Sequence, residues 1–444
     1  MNNLKKEFWK YISMGVLGMI GSAGTILTDA FFVSEKLGPD GLAAMNLAMC
    51  VFGLMNGTGL LFGIGGATRY TIFRSRNEDR QANSAFTMSF LTAAMVGLLY
   101  ALIGFFFSGP ISVFFGADIR TFDMCDTYLK TVLCFAPAFV LNHLLMAFVR
   151  NDGDPKLSMG AMLLASAANI VLDYVFLYPL GMGIFGAALA TGIAALLGIG
   201  VSSLHFLSKK NRLRFIRLKS SSPALLGQIL STGFASFITE LSSGIVLVIF
   251  NLLILRAAGT IGVAAYGIVA NLAWMIQALI NGISHGIQPL ISKMHGKNKT
   301  AEAKQLYRKG VVLTLVVGIF IFSLAYVFAP ELVQCFNGEK DILLQALAEN
   351  GLPLYFLGFL FVGYNHLTAA YFSATEKPRY AFTIALFRGF IGITASACLL
   401  SALFGMTGIW LAFPAVEGVS VLLCLLMNHA LSPKRCAELH LKRE

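Results

Sequence analysis

Asn142-His143-Leu144-Leu145-Met146-Ala147, with Pro155 eight residues further on, returns as Asn365-His366-Leu367-Thr368-Ala369-Ala370 with Pro378, an offset of 223. Working outward, Gly41-Leu42-Ala43-Ala44 pairs with Gly262-Val263-Ala264-Ala265 at 221, and Gly65 and Asn77 match Gly286 and Asn298 at the same offset. Phe185-Gly186 and Leu189-Ala190 pair with Thr407-Gly408 and Leu411-Ala412 at 222. Four matches at nearly one spacing describe a tandem repeat. The halves are read as 1–207 and 223–444, joined by a basic, Ser-rich linker at 208–222.

What is repeated belongs in lipid. Apolar residues make up 57% of the 444 and charged residues 12%, against about a quarter charged in soluble domains. Apolar runs of roughly 20–25 residues, the length that crosses a bilayer, predict twelve spans. They fall at about 11–34, 42–68, 84–108, 122–148, 157–180, 183–207, 223–257, 262–291, 309–329, 345–371, 380–404 and 407–430. The predicted fold class is therefore an all-α integral membrane protein, twelve transmembrane helices in two six-helix bundles. Met1–Lys10 is basic, but the apolar run behind it is too long for a signal-peptide core, so it reads as a retained first span.

Charge orients the chain. Twenty-seven of the 33 basic residues fall in alternate loops, among them the linker and both ends. Five lie opposite, at Lys36, Arg120, Lys130, Arg256 and Lys340, and Arg388 alone sits within a span. The positive-inside bias places both termini in the cytoplasm of a multi-pass plasma-membrane protein. Six spans per half is even, so the halves share one orientation, with a substrate path expected where they meet. The +11 net charge then concerns topology, and no nucleic-acid partner is expected. The linker reads as a tether drawn to anionic lipid, and Arg150 and Lys156 as headgroup contacts or an inner gate.

Four acids are read within spans: Asp29, Asp173, Glu240 and Glu417. A carboxylate at membrane depth costs about 2.5–3.5 kcal/mol on insertion scales, which makes each a functional candidate. Asp29 and Asp173 lie roughly 8 and 10 Å from the outer ends of their spans, and Thr191 roughly 12 Å. Asn169 precedes Asp173 by one helical turn on the same face. Two carboxylates, an amide and a hydroxyl at one level suit a small cation or a shared proton. Their repeat equivalents are Phe250, Gly392, Ser396 and Phe413. A bracing role would call for polar counterparts in both halves; a coupling site in one lobe does not.

Several segments together give this chain a resemblance to the multidrug and toxic compound extrusion (MATE) family over essentially its whole length. They are Thr28-Asp29-Ala30-Phe31-Phe32-Val33, Phe148-Val149-Arg150-Asn151-Asp152-Gly153-Asp154-Pro155-Lys156, Asn169-Ile170-Val171-Leu172-Asp173, Gly186–Thr191 and Gln288-Pro289-Leu290-Ile291-Ser292. The resemblance implies two bundles in a V around a central cavity, exporting organic cationic drugs or toxic metabolites in exchange for H⁺ or Na⁺. It also implies that Asp29, Asn169, Asp173 and Thr191 form the ion site. Relatives with acids in helices seven and ten match here only through Glu240, span 10 being read without an acid. Glu240, Glu417 and Arg388 are candidates for substrate binding or secondary coupling, Arg388 pairing with a carboxylate such as Glu417 or with backbone carbonyls.

Other classes fit poorly. A lipid-linked oligosaccharide flippase of the same superfamily must neutralise a pyrophosphate, for which the spans offer only Arg388. A membrane-embedded enzyme would need HExxH, which does not occur, or a nucleophile–base pair at membrane depth; Gly282-Ile283-Ser284-His285-Gly286 has the GxSxG spacing but lies inside an apolar span rather than on a strand-to-helix turn. The glycines of span 2 lack the Lys-Ser/Thr of a phosphate loop and read as helix-packing positions. Seven cysteines without CxxC spacing read as small apolar filler. No cofactor is expected beyond the coupling ion, and the chain is expected to act as a monomer. His143 and His366, equivalent in the repeat, read as structural.

Overall fold

A computed structural model of the chain describes residues 2–218, 222–337 and 341–430. Lys219, Lys340, Lys434, Arg435, Lys442 and Arg443, counted above in orienting the chain, lie outside the described residues. Every regular element among the described residues is helical. Seven helical segments are long and apolar enough to cross a membrane, and nine when two bent pairs each count as one span. Three of the nine are broken once more, at the left-handed glycines Gly38, Gly259 and Gly405. Twelve membrane-crossing segments result, in two six-helix bundles.

Spans 1 and 2 run continuously as Asn2–Ser75 and spans 7 and 8 as Ser222–Gly296. Spans 3, 5 and 6 are Asp79–Phe114, Pro155–Leu177 and Gly183–Ser203, and span 9 is Thr300–Val327. Span 4 is bent by 48° between Phe122–Cys134 and Ala136–Asn151, and span 10 by 42° between Ile342–Phe356 and Phe359–Ala374. Pro137 begins the second segment of span 4, where its missing N–H is tolerated. Span 11 contains a π-helical turn at Phe387–Ile391, and span 12 follows Gly405 to Ala430. These helices correct the count of acids. Asp123 and Asp126 lie on span 4 and Glu349 on span 10; among the bases, Lys130 lies on span 4 and Arg256 on span 7, so Arg388 is not alone within a span.

The repeat is visible in the backbone. Left-handed residues occur at Gly38 and Gly259, Asn77 and Asn298, Gly153 and Glu376, and Gly183 and Gly405, each pair at the offsets of the sequence matches. Side chains follow the same symmetry: His143 Nε2 lies 3.2 Å from Asn56 Oδ1, and His366 Nε2 lies 2.9 Å from the amide of Gln277.

The bundles meet through backbone. A Cβ on Gly65 would sit 2.3 Å from the Ile229 carbonyl oxygen of span 7, and one on Gly286 would sit 2.6 Å from the Tyr11 carbonyl oxygen of span 1. Only glycine permits that approach. Such contacts run from the middle of span 2, where Gly57 faces Phe237 and Glu240, to the side bearing the basic loops, here called the basic face. At the opposite face a Cβ on Gly38 or Gly259 would meet nothing within 4 Å. The result is a V closed at the basic face.

Two ion-paired features finish that face. Glu376 of the second bundle accepts from Arg69 at 2.7 Å and Arg76 at 2.6 Å, both of the first. Arg69 Nε also donates to Thr232 Oγ1 of span 7 at 3.2 Å. The linker, over its described part, is an extended strap. The N–H groups of Arg212, Arg214 and Ile216 donate to Asp152, Asn83 and Thr87, and Phe215 packs 4.8 Å from Phe86. Its backbone donors are satisfied by the bundle itself, while the side chains of Lys209, Lys210, Arg212, Arg214 and Arg217 stay exposed. Of the two readings given for Arg150, its 8% exposure speaks against a headgroup contact and leaves the gate.

Candidate functional site

The four residues predicted for the ion site converge. Span 5 carries Asn169 and Asp173, exposed by 1% and 0%, and their i, i+4 spacing lets Asn169 Nδ2 donate to Asp173 Oδ2 at 3.2 Å. The same amide reaches Thr191 Oγ1 of span 6 at 3.5 Å, while the Thr191 hydroxyl donates to its own helix at Ala187 O, 2.9 Å. Asp29 of span 1 lies close enough to Asp173 for the two carboxyls to act on each other directly. One oxygen each of Asp29, Asn169 and Asp173 is buried without a hydrogen-bond partner. Buried polar atoms are nearly always paired, so three unpaired acceptors, two of them on the neighbouring carboxyls and one on Asn169, form a donor set suited to a proton or a small hard cation. The counterparts in the other bundle do different work. Phe250 is stacked on Tyr266, and Ser396 Oγ donates to Ala412 O at 3.1 Å.

Tyr128 of span 4 was not singled out by the sequence. It is 4% exposed and lies within electrostatic reach of both Asp29 and Asp173. A single tyrosine in an apolar run carries no local signal; only the fold of span 4 against spans 1 and 5 brings it in. Toward the face opposite the basic loops Phe32, one turn beyond Asp29, packs on Tyr178 at 5.9 Å, and the Tyr178 hydroxyl donates to Glu35 at 2.5 Å.

The other three candidates meet in the second bundle, around a cavity of about 160 Å³. Glu240 of span 7, Arg388 of span 11 and Glu417 of span 12 all line it. Arg388 donates through Nε to both Glu417 oxygens at 2.9 and 3.0 Å and through a terminal nitrogen at 2.5 Å. Asn365 adds a bond to Glu417 Oε2 at 2.7 Å. The pairing expected for Arg388 is therefore present. Glu240 has no hydrogen-bond or ion-pair partner among the described residues. Glu349, the acid of span 10, donates nothing here: it faces a separate hollow beside Trp410 and accepts from Gln345 at 2.6 Å.

Comparison with known proteins agrees with this architecture. Residues 16–175 and 234–397 match the MatE family, one block in each bundle. The chain belongs to that family. It is a membrane transporter and not an enzyme. Among similar curated proteins, the multidrug export protein MepA of Staphylococcus haemolyticus is 26% identical over 423 residues, covering 93% of this chain and 91% of that one. Its namesake from Staphylococcus saprophyticus is 27% identical over 427 residues, with the same coverage. Among solved structures, an outward-facing multidrug resistance MATE transporter superposes with a TM-score of 0.90 at 21% identity, over 96% of this chain and 95% of that chain. A transporter from Pyrococcus furiosus, described as having a binding pocket of reversed polarity, gives 0.87 at 20% identity and the same coverage. At such identities these likenesses speak for the fold.

Proposed function

We propose that this chain is a secondary active multidrug exporter, extruding organic cations in exchange for H⁺ or Na⁺. The observation that carries the reading is the neighbouring pair Asp29 and Asp173, with its unpaired oxygens and that of Asn169. Two carboxylates at close range in low dielectric cannot both stay ionised without a proton or cation between them. Uptake of that ion relieves their repulsion and lets span 1 shift toward span 5. Cargo then leaves through the open outer side of the V. Return to an inward-open state requires release of the ion and separation of the contacts at the basic face.

Charge distribution supports cationic cargo. Glu240 is a free carboxylate on the second cavity, whereas Arg388 is committed to Glu417. A pyrophosphate-bearing cargo would find no free cation there. The sign of the loops supports a cytoplasmic basic face in the plasma membrane. We take 1–207 and 223–444 as the two working lobes, 208–222 as the connector and the monomer as the functional unit. The deciding experiment is efflux of a fluorescent organic cation from proteoliposomes under an imposed proton or sodium gradient, with the membrane potential clamped. Gradient-dependent export is expected. Export unchanged by collapse of both gradients would refute ion exchange.

A further inference from the structure

The second cavity holds three charged side chains of unequal standing. Glu417 is 2% exposed and is held by three contacts from Arg388 and one from the Asn365 amide. Its charge is cancelled at contact distance. Glu240, on the same cavity, has no such partner among the described residues. It sits on the seam between the bundles, its Cβ 3.5 Å from the position a Cβ on Gly57 would take. Trp274, 43% exposed, lines the cavity with Tyr266 and Tyr355, offering π-faces beside one uncompensated carboxylate.

Backbone geometry places the neutralising group. Arg388 lies in the π-helical turn Phe387–Ile391, a local widening that redirects side chains and is frequent at functional sites. Neighbouring Gly389 lies so close to span 7 that a Cβ there would meet Ser242 Oγ at 2.4 Å, so the turn is seated against the helix that bears Glu240. Arg388, Glu417 and Glu240 correspond in the first bundle to Ala165, Ala195 and Met19 at the repeat offsets. This charge set therefore belongs to the second bundle alone, as the ion cluster belongs to the first.

We infer that the second-bundle cavity is the cargo subsite for aromatic cations, with a capacity of one positive charge set by Glu240, and that Arg388 determines this selectivity by masking Glu417. The inference rests on the reading of the chain as a cation exporter and adds which residue fixes the charge of the cargo. Removing Arg388 unmasks a second carboxylate and raises the preference for dications. Removing Glu417 leaves Arg388 uncompensated and weakens cation binding, although Glu417 itself holds no cation. Removing both restores the original balance.

The test is equilibrium binding by fluorescence to the purified full chain in lipid nanodiscs, without any gradient. The probes are ethidium, a planar monocation, and propidium, its dicationic relative. One added or removed charge across a partly desolvated cavity predicts affinity changes of about tenfold or more. E240Q should weaken both dyes by that factor. R388Q should raise the propidium-to-ethidium affinity ratio about tenfold over wild type, and R388Q/E417Q should return it to the wild-type value. E417Q should weaken ethidium about tenfold, with rescue in R388Q/E417Q; this arm decides the matter where R388Q does not insert. A ratio unmoved by R388Q, or no rescue of E417Q by the double substitution, would overturn the inference while leaving the export reading intact. A wild-type chain that binds neither dye would overturn both.

Discussion

Asp173 receives one hydrogen bond, from Asn169 within its own helix, and its other oxygen has no partner. A carboxylate kept for structure would be fully bonded; one kept to take up an ion need not be. Asp29→Asn should therefore abolish gradient-driven export while leaving insertion intact, because the amide is nearly isosteric but cannot titrate. Proteoliposome efflux equal to wild type would refute that role. Asp173→Ala should likewise be severe, whereas Ser396→Ala, at the equivalent repeat position, loses one bond to Ala412 O worth about 1 kcal/mol and should be mild. Growth in the presence of a cationic drug compares the two directly. Asp29, Asn169, Asp173 and Thr191 were all legible from depth, spacing and repeat asymmetry. Tyr128 was not, since nothing in one tyrosine distinguishes a site residue from lipid-facing or core aromatic surface.

Between helices, the contacts that close the basic face rest on Glu376. It adopts a left-handed backbone, φ 59°, where the other half has Gly153, and so accepts backbone strain that a glycine would avoid. In return it reaches across the seam to Arg69 and Arg76. Hydrogen bonding from His295, then from Arg76, with the charge of Arg69, pulls its carboxyl down to about 2 against the opposing effect of partial burial. A folded value below the unfolded one means that the latch is fully present above the ordinary range near 4.5 and is lost only as pH falls through about 2. The Glu376 carboxylate is thus ionised at any pH a cell presents. Glu376→Gln should raise labelling of a cysteine placed at the basic end of span 8 several-fold. Labelling equal to wild type would show that the glycine seam closes this face without the latch. Gly65→Leu should be damaging for a different reason, because the side chain has no space against Ile229 O. Overpacking of this kind costs about 1–3 kcal/mol where neighbours can move, more against backbone, and the expected readout is a lower melting temperature in detergent together with lost export.

At the scale of the whole transporter, the carboxylate cluster of the first bundle and the charged cavity of the second are joined chiefly through the seam of spans 1 and 2 against spans 7 and 8. Energetics bound what such coupling achieves. One pH unit is worth about 1.4 kcal/mol, and one charge crossing 100 mV about 2.3 kcal/mol. Exchange of one proton for one monovalent cation cancels the electrical term, so accumulation should be roughly tenfold per pH unit and insensitive to a clamped potential. A two-for-one exchange would make it potential-dependent. Initial export rates measured across a series of valinomycin-set potentials, at fixed pH gradient and with sodium absent, separate the two stoichiometries.

Twelve spans, their alternating loop charge and the tandem repeat were written in local sequence, because hydrophobic length, net loop charge and glycine placement are properties of short segments. Gly38, Gly259 and Gly405 show how closely: each breaks a helix where the apolar runs predicted a turn. The carboxylates of the candidate site were legible for the same reason, since an acid in an apolar run announces itself. What required the tertiary structure was partnership across long separations. Arg69 and Glu376 are 307 residues apart, and nothing local to either states that the one will meet the other. Arg150, basic in sequence, proved buried, and the basic linker proved a bonded strap, because burial and backbone satisfaction depend on what packs alongside. Charge and hydrophobicity are carried by each residue; whether a charge is free, masked or latched is decided only by its neighbours in the fold.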